Sequence, residues 1–116
     1  MFIRIRALAV TSFLAGILAF PQISLAKFTS ADLLKWPEAS QDSYFNTSIG
    51  MAGVIATQNR REAARCIDEW YFASQATAAK RNDDIRKILA DNPSYHPQAT
   101  ILAIIRKACG RLAVQP

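Results

Sequence analysis

Glycine and histidine are scarce in this chain of 116 residues, which contains four glycines and one histidine. The glycines form no phosphate-binding loop, and no G-x-S-x-G motif is present. The one histidine, His96, lies in a loop between two prolines, and no serine is accompanied by a matching histidine and aspartate. These absences argue against an enzyme.

The remaining candidate reactive groups also have structural explanations. His96 could serve as a general base or a metal ligand, or it could cap or pack against the helix that follows it. A metal site of Cys66, His96 and Cys109 would be one ligand short of a tetrahedral structural site. The pairs Asp68-Glu69 and Asp83-Asp84 are sequence neighbours, which diverge by about 100° on a helix. We therefore predict no catalytic residue, no metal and no cofactor.

Charge of one sign forms no stripe in this sequence. The chain has 14 basic and 9 acidic side chains, and they are interleaved in segments such as RREAARCIDE and KRNDDIRK. Nucleic-acid-binding domains carry their basic residues on one face. We therefore expect no nucleic-acid partner.

The first 26 residues have the pattern of a secretory signal peptide. Two arginines precede an uncharged apolar run over residues 7–20, and residues 21–26 end in small side chains around Leu25. A membrane-spanning helix needs about 20 apolar residues, and Pro21 interrupts this run after 14. We predict cleavage between Ala26 and Lys27, export to the periplasm, no stable membrane span after cleavage, and one domain over residues 27–116.

The two cysteines, Cys66 and Cys109, both fall in that exported part. An even number of cysteines in an exported protein indicates a disulfide. Closing a loop of 43 positions is worth about 4 kcal/mol of stability. Free thiols or an intermolecular bridge are the alternatives. The intramolecular bridge is our prediction.

An uncharged stretch of 17 residues, Ser43–Asn59, separates Asp42 from Arg60. At helical spacing its side chains are apolar or small almost all round, a pattern typical of a buried helix. Gly50 and Gly53 each weaken a helix by about 1 kcal/mol relative to alanine, so we expect them to admit a neighbouring backbone. The segment is thus predicted to be the central helix of the domain.

Capping signals predict the other helices. The expected fold is all-α, a small disulfide-stapled bundle of four to five helices around the central apolar helix. The central helix begins either at Pro37 or after Ser40, two starts that the sequence leaves open. The other signals indicate a short helix over residues 29–36, a helix after the capping box at Asn59, and a short helix from Asn82 to about Asp91. The last helix is predicted to begin with Pro97 and to end before Gly110. Its predicted buried side is formed by Ile101, Leu102, Ile104, Ile105 and Ala108, and we expect a frayed tail from about residue 111.

The chain has more large aromatic side chains than so small a core can bury. Consecutive helical residues turn by about 100°, so Trp70, Tyr71 and Phe72 cannot all face one core. Tryptophan and tyrosine are enriched in the anchors of protein interfaces. The candidate interface residues are Trp36, Trp70, Tyr71, Phe72 and Tyr95.

These signals, in this order, resemble a known family. The segment SYFNTSIGMAGVIATQ, then ARCIDEWY, then NPSYHPQA and a last helix ending in KACG, is similar to the secreted immunity proteins of type VI secretion amidase effectors, the Rap/Tai type. It also resembles the broader group of HdeA-like periplasmic helical proteins. The resemblance covers about Leu33 to Gly110, and it is carried by Tyr44, Gly50, Cys66, Arg81, Ile85, Pro93, His96, Pro97, Ala99 and Cys109.

The resemblance implies a non-enzymatic protein, often dimeric, that plugs the cleft of a peptidoglycan-cleaving enzyme. The expected partner is accordingly a cell-wall amidase effector, with a homodimer possible. Two alternatives stay open from the sequence. One is an acid-stress chaperone like HdeA, and the other is a structural component of an envelope assembly.

Overall fold

The computed structural model describes residues 27–113, and those residues contain five α-helices and no strand. The helices are α1 (Ser30–Leu33), α2 (Glu38–Asn59), α3 (Arg61–Trp70), α4 (Gln75–Asp91) and α5 (Pro97–Cys109). The all-α prediction is therefore confirmed. The predicted signal peptide, with its cleavage point after Ala26, lies outside the described residues, as do residues 114–116.

The predicted disulfide is present and joins α3 to α5. The Cys66 and Cys109 sulfur atoms are 2.01 Å apart and the two Cα atoms are 5.5 Å apart. Among residues 27–113 no cysteine is free. The bridge ties two helices that are separated in sequence by all of α4.

The helix α2 is central, but the prediction that it is buried all round is wrong. Only one row of its side chains, including Phe45 and Ile49, lies in the core, whereas Met51 is 59% exposed and Val54 is 54% exposed. Such a small domain cannot surround a helix of 22 residues, which is about 33 Å long. The apolar core consists of Leu33, Phe45, Ile49, Ala52, Ala56, Ala63, Ile67, Tyr71, Ile85, Leu89, Ile101 and Ile105.

The two glycines of α2 contact side chains rather than a neighbouring backbone. A Cβ atom added to Gly50 would lie 3.8 Å from Cζ of Phe72, and one added to Gly53 would lie 3.8 Å from Cγ2 of Ile67. Both are ordinary van der Waals distances. The expected backbone approach is therefore wrong.

The boundary between α2 and α3 lies one residue later than its capping signal suggested. The helix α2 begins after Pro37, close to the first of the two starts left open, and continues through Asn59. The Asn59 side chain donates to the Ile55 carbonyl at 2.8 Å, so it does not cap α3. The chain turns instead at Arg60, whose backbone is extended (φ −151°, ψ 89°).

The helix α4 is longer than predicted. It begins after Ser74, whose Oγ accepts a hydrogen bond of 3.0 Å from the Thr77 amide. The residue predicted as its cap, Asn82, lies in mid-helix and is buried. Its Oδ1 accepts a hydrogen bond of 2.8 Å from the Tyr71 hydroxyl, a tertiary contact that stabilises a polar residue inside a helix.

The limits of α5 are as predicted. Pro97 is its first residue, and Nδ1 of His96 accepts a hydrogen bond of 3.1 Å from the Gln98 amide, so His96 is the N-cap. Gly110 ends the helix with φ +81°, a conformation that favours glycine. Ile101 and Ile105 form its buried side.

Two expectations at this end of the chain are wrong. Leu102 and Ala108 are exposed, because α5 is packed on one narrow side only. The tail does not fray at residue 111. The Arg60 guanidinium donates to the Arg111 carbonyl at 2.9 Å, and Leu112 packs against the core.

The short helix α1 is docked on the loop that precedes α5. The amide and the hydroxyl of Ser30 donate to the Tyr95 carbonyl at 2.8 and 2.9 Å, and the Ala31 amide donates to the Pro93 carbonyl at 3.1 Å. Ser30 is completely buried. These bonds fix the backbone that carries the Tyr95 side chain.

The capping box of α1 makes a prediction about acid. Asp32 accepts hydrogen bonds from the Thr29 amide at 3.1 Å and the Thr29 hydroxyl at 2.9 Å, and these bonds lower the pKa of Asp32 from its ordinary value of 3.8. A carboxylate with a lowered folded-state pKa stabilises the fold above that ordinary value, and this contribution is lost as the pH falls through the folded-state pKa. Asp32→Asn should therefore lower the melting temperature at pH 7. At about pH 2 the variant and the wild type should melt alike.

Circular dichroism melting curves of both proteins at the two pH values provide the measurement. Lys80→Gln is the control, because it removes one charge from an exposed side chain of α4 that forms no ion pair within residues 27–113. A melting difference between wild type and Asp32→Asn that is equal at both pH values would contradict the assigned role of the carboxylate.

Candidate functional site

An open groove runs between α4 and α5, and we call it the α4–α5 groove. Its two parts have volumes of about 540 Å³ and 370 Å³, and they share Ile88, Ile104 and Lys107. The larger part extends to Tyr95 and the smaller part to Trp70. Two of the five predicted interface aromatics therefore lie at opposite ends of one groove.

Helical spacing explains why these side chains meet. On α4, residues 81, 84, 85 and 88 recur at intervals of three and four and so line one side of the groove. On α5, Ala99 and Ala103 lie one turn apart and have only methyl side chains. The groove is therefore deepest where α5 carries these small side chains. On the α4 side it is bordered by Ile88, which is 38% exposed.

The backbone of Tyr95 and the ring of Trp70 are held in place at the two ends of the groove. The Tyr95 side chain is 61% exposed, while its carbonyl is fixed by Ser30. The Arg81 guanidinium lies 5.3 Å from the centre of the Trp70 ring, a cation–π distance, and Arg81 Nε donates to the Trp70 carbonyl at 2.9 Å. Fixed aromatic side chains lose little conformational entropy on binding.

Apolar and charged side chains both line the groove between its aromatic ends. Ile88 and Ile104 line both parts and form its apolar centre. Arg81 and Asp84 lie in the smaller part, and Lys107 borders both parts. An apolar centre with polar groups around it is the usual arrangement of a protein-binding surface.

The other predicted interface aromatics lie elsewhere. Trp36 belongs to an aromatic cluster, with its ring centre 5.5 Å from that of Phe28 and 6.0 Å from that of Tyr44. Phe72 is 41% exposed and covers α2 at Gly50.

Tyr71 must be withdrawn from the candidate interface. Its side chain is completely buried, and its hydroxyl donates to Asn82 inside the fold. Burial raises the pKa of its hydroxyl above the ordinary value of 10.0. Tyr71 is buried because it lies one helical turn after Ile67, to whose carbonyl its amide donates at 2.9 Å, and so it continues the buried row of Ala63 and Ile67.

A second apolar surface was not predicted from the sequence. We call it the exposed α2 face, and it consists of Met51, Val54 and Ile55. Leu102 of α5 borders it across a groove of about 390 Å³. The sequence signal was the lack of charge over residues 43–59, which we assigned to burial within the chain. A segment whose surface is covered by another molecule would lack charged residues in the same way.

Arg86 connects α2 to α4 through three carboxylates. Its guanidinium lies 2.7 Å from Asp42, 2.7 Å from Asp83 and 3.5 Å from Glu38. Burial alone would lower the pKa of Arg86, but the hydrogen bonds that its guanidinium donates to Asp42 and Asp83 raise it. The guanidinium also lies 5.8 Å from the centre of the Phe45 ring and so covers the core.

The described residues offer no metal centre, since residues 27–113 contain no group of three or more histidine, cysteine, aspartate or glutamate side chains arranged to hold an ion. Over the same range, no helix has the length and hydropathy of a membrane span.

Comparison with known proteins adds no relative. No family model, no curated protein sequence and no solved structure matches this chain.

Proposed function

We propose that this chain is an exported, non-enzymatic immunity protein that binds a peptidoglycan-cleaving amidase effector and occludes its cleft. The observation that carries the proposal is the α4–α5 groove, where an apolar centre lies between two aromatic side chains, Trp70 and Tyr95. The identity of the partner rests on the sequence resemblance to the Rap/Tai type.

Two further observations agree with export and with action as an inhibitor. A disulfide between Cys66 and Cys109 is typical of oxidising compartments such as the periplasm. A helical domain that is stapled in this way presents its surface with little internal freedom, which lowers the entropy lost on binding.

A second copy of the chain is the proposed occupant of the exposed α2 face. Residues 43–59 contain no charged side chain, so two identical copies of this face can meet without repulsion between like charges. A two-fold dimer uses the same surface on both copies. A homodimer of this kind leaves the α4–α5 groove of each copy free for the effector.

Substitution in the α4–α5 groove tests the proposal. Ile88→Glu would place a carboxylate in the apolar centre, where binding would have to remove it from water. We expect the oxidised protein (residues 27–116) to capture and inhibit a cell-wall amidase from secreted extracts of competing strains. The variant should weaken this binding by at least 100-fold, which corresponds to about 3 kcal/mol.

The matched control is Ala90→Glu, which places the same carboxylate on the exposed side of α4 outside both the α4–α5 groove and the exposed α2 face. It should leave capture and inhibition of the amidase unchanged. Unaltered melting temperatures show that both variants fold. Capture of no hydrolase, or equal loss in both variants, would contradict the proposal.

An acid-stress chaperone is the alternative that a specific observation favours. The ion pairs of Arg86 connect α2 to α4 over Phe45, so protonating the three carboxylates in acid would remove a link that covers the core. A chaperone of this kind should unfold partly at low pH and then suppress aggregation of many clients. Cooperative unfolding that persists unchanged down to about pH 2 excludes it.

A further inference from the structure

A second groove lies on the opposite side of α4, and we call it the α2–α4 groove. It has a volume of about 540 Å³ and is lined by residues 42, 43, 46 and 47 of α2 and by residues 75, 78, 79 and 82 of α4. At 100° per residue, these α4 positions point away from positions 81, 84 and 88, which line the α4–α5 groove. The two grooves are therefore separate surfaces.

The chemistry of the α2–α4 groove differs from that of the α4–α5 groove. Its walls carry amide and hydroxyl side chains from both helices, and alanines lie between them. The only charged residue that lines it is Asp42, and Oδ1 of Asp42 is paired with Arg86 at 2.7 Å. A groove of this composition can donate and accept several hydrogen bonds but offers no free charge to an ion.

One of these polar side chains is almost completely buried and still has unused capacity. Asn82 is 6% exposed, and its Oδ1 accepts the hydrogen bond from Tyr71. Its Nδ2 atom donates no hydrogen bond within residues 27–113. Within that range Gln41 Oε1 is the one side-chain polar atom that has neither a partner nor contact with solvent, so Asn82 Nδ2 keeps some contact with solvent. This amide is therefore accessible from the groove that Asn82 lines. A ligand oxygen could accept from it.

An exposed aromatic ring lies beside the same groove. Phe72 contacts the Tyr71 ring at 4.8 Å between centres, and it covers α2 at Gly50, about one helical turn beyond Thr47. The ring is partly exposed to solvent. It offers an apolar face next to the amides and hydroxyls.

We infer that the α2–α4 groove binds a neutral sugar unit, such as a hexose or N-acetylhexosamine ring of an oligosaccharide. A sugar ring presents hydroxyl groups that both donate and accept hydrogen bonds around its edge, together with an apolar C–H face. The amides of Asn46, Gln75 and Asn82 match the edge, and the Phe72 ring matches the face. An anion would need a basic side chain that is free, and none lines the groove.

Titration of the oxidised protein (residues 27–116) followed by ¹⁵N NMR tests this inference. Chitotriose and maltotriose are the probes, and trialanine is the non-sugar control, each used up to about 20 mM to detect dissociation constants near 1 mM. We expect saturable shifts with at least one sugar, centred on the side-chain amides of Asn46, Gln75 and Asn82. Trialanine should produce none.

Two alanine-to-phenylalanine substitutions localise the site. Ala79→Phe should fill the α2–α4 groove and weaken sugar binding at least tenfold, while Ala103→Phe makes the same change in the α4–α5 groove and should leave it unaltered. The absence of saturable shifts with both sugars, equal binding of trialanine, or sugar binding that Ala79→Phe does not weaken would each overturn the inference. No amidase takes part, so this result is independent of the immunity proposal.

Discussion

Replacing Cys66 and Cys109 together by serine should lower the free energy of unfolding by about 4 kcal/mol. The bridge closes a loop of 43 positions and so restricts the conformations of the unfolded chain. Its removal raises the conformational entropy of the unfolded chain, which stabilises the unfolded state by that amount. Small domains have a total stability of about 5–15 kcal/mol. The expected loss is therefore a large part of the total stability of a domain of this size.

Urea unfolding followed by circular dichroism measures this difference. The double variant avoids the unpaired thiol that either single variant would leave, and the wild-type protein under reducing conditions is the second test of the same loss. The reduced wild type and the double variant should unfold at similar urea concentrations. A loss below about 1 kcal/mol would show that α3 and α5 hold together without the bridge.

Phe45→Ala should destabilise the protein by about 3–5 kcal/mol, the usual effect of removing a large aromatic side chain from a core. Phe45 is completely buried on the inner row of α2, and Arg86 lies over its ring. The substitution would leave a cavity between α2 and α4. It would also remove the apolar support under the Arg86 ion pairs.

Met51→Ala is the matched control on the same helix. Met51 lies on the exposed α2 face, so its truncation should change the stability of the monomer by no more than about 0.5 kcal/mol. Urea unfolding at low protein concentration compares the two variants. Similar losses in both would contradict the one-sided burial of α2 and would support our first prediction of a helix buried all round.

The sequence predicted features that depend on local chemistry. Pro97 and Gly110 delimit α5 because each has a backbone preference that acts at one position. The pairing of Cys66 with Cys109 was predicted from the expected export and from the absence of any other cysteine in the sequence. These signals do not depend on how the helices pack.

The wrong predictions concern features that depend on contacts between helices. Asn82 has the signature of a helix start, but its hydrogen bond with Tyr71 places it in mid-helix. Tyr71 was chosen as a candidate interface residue from its type, but it continues the row of Ala63 and Ile67 at helical spacing and is buried with them. The uncharged α2 segment is equally consistent with a core helix and with an exposed surface, since both lack charge.

The candidate site was predictable only in part. Trp70 and Tyr95 were identified as interface residues from their type, but their position at two ends of one groove depends on how α4 packs against α5. Ile88 belongs to the short helix predicted after Asn82, but its place in the groove depends on how α5 packs against α4. The polar α2–α4 groove gave no sequence signal because its residues come from two helices that are distant in the chain.

Site-specific photo-crosslinking from the α4–α5 groove tests the central claim most directly. A benzoylphenylalanine at position 95 replaces an exposed aromatic ring with one of similar kind, and the same probe at position 102 reports on the opposite groove of α5. In periplasm exposed to secreted effectors, the account predicts one adduct from position 95 that contains a cell-wall amidase. An amidase adduct from position 102 alone, or only unrelated proteins from position 95, would contradict it.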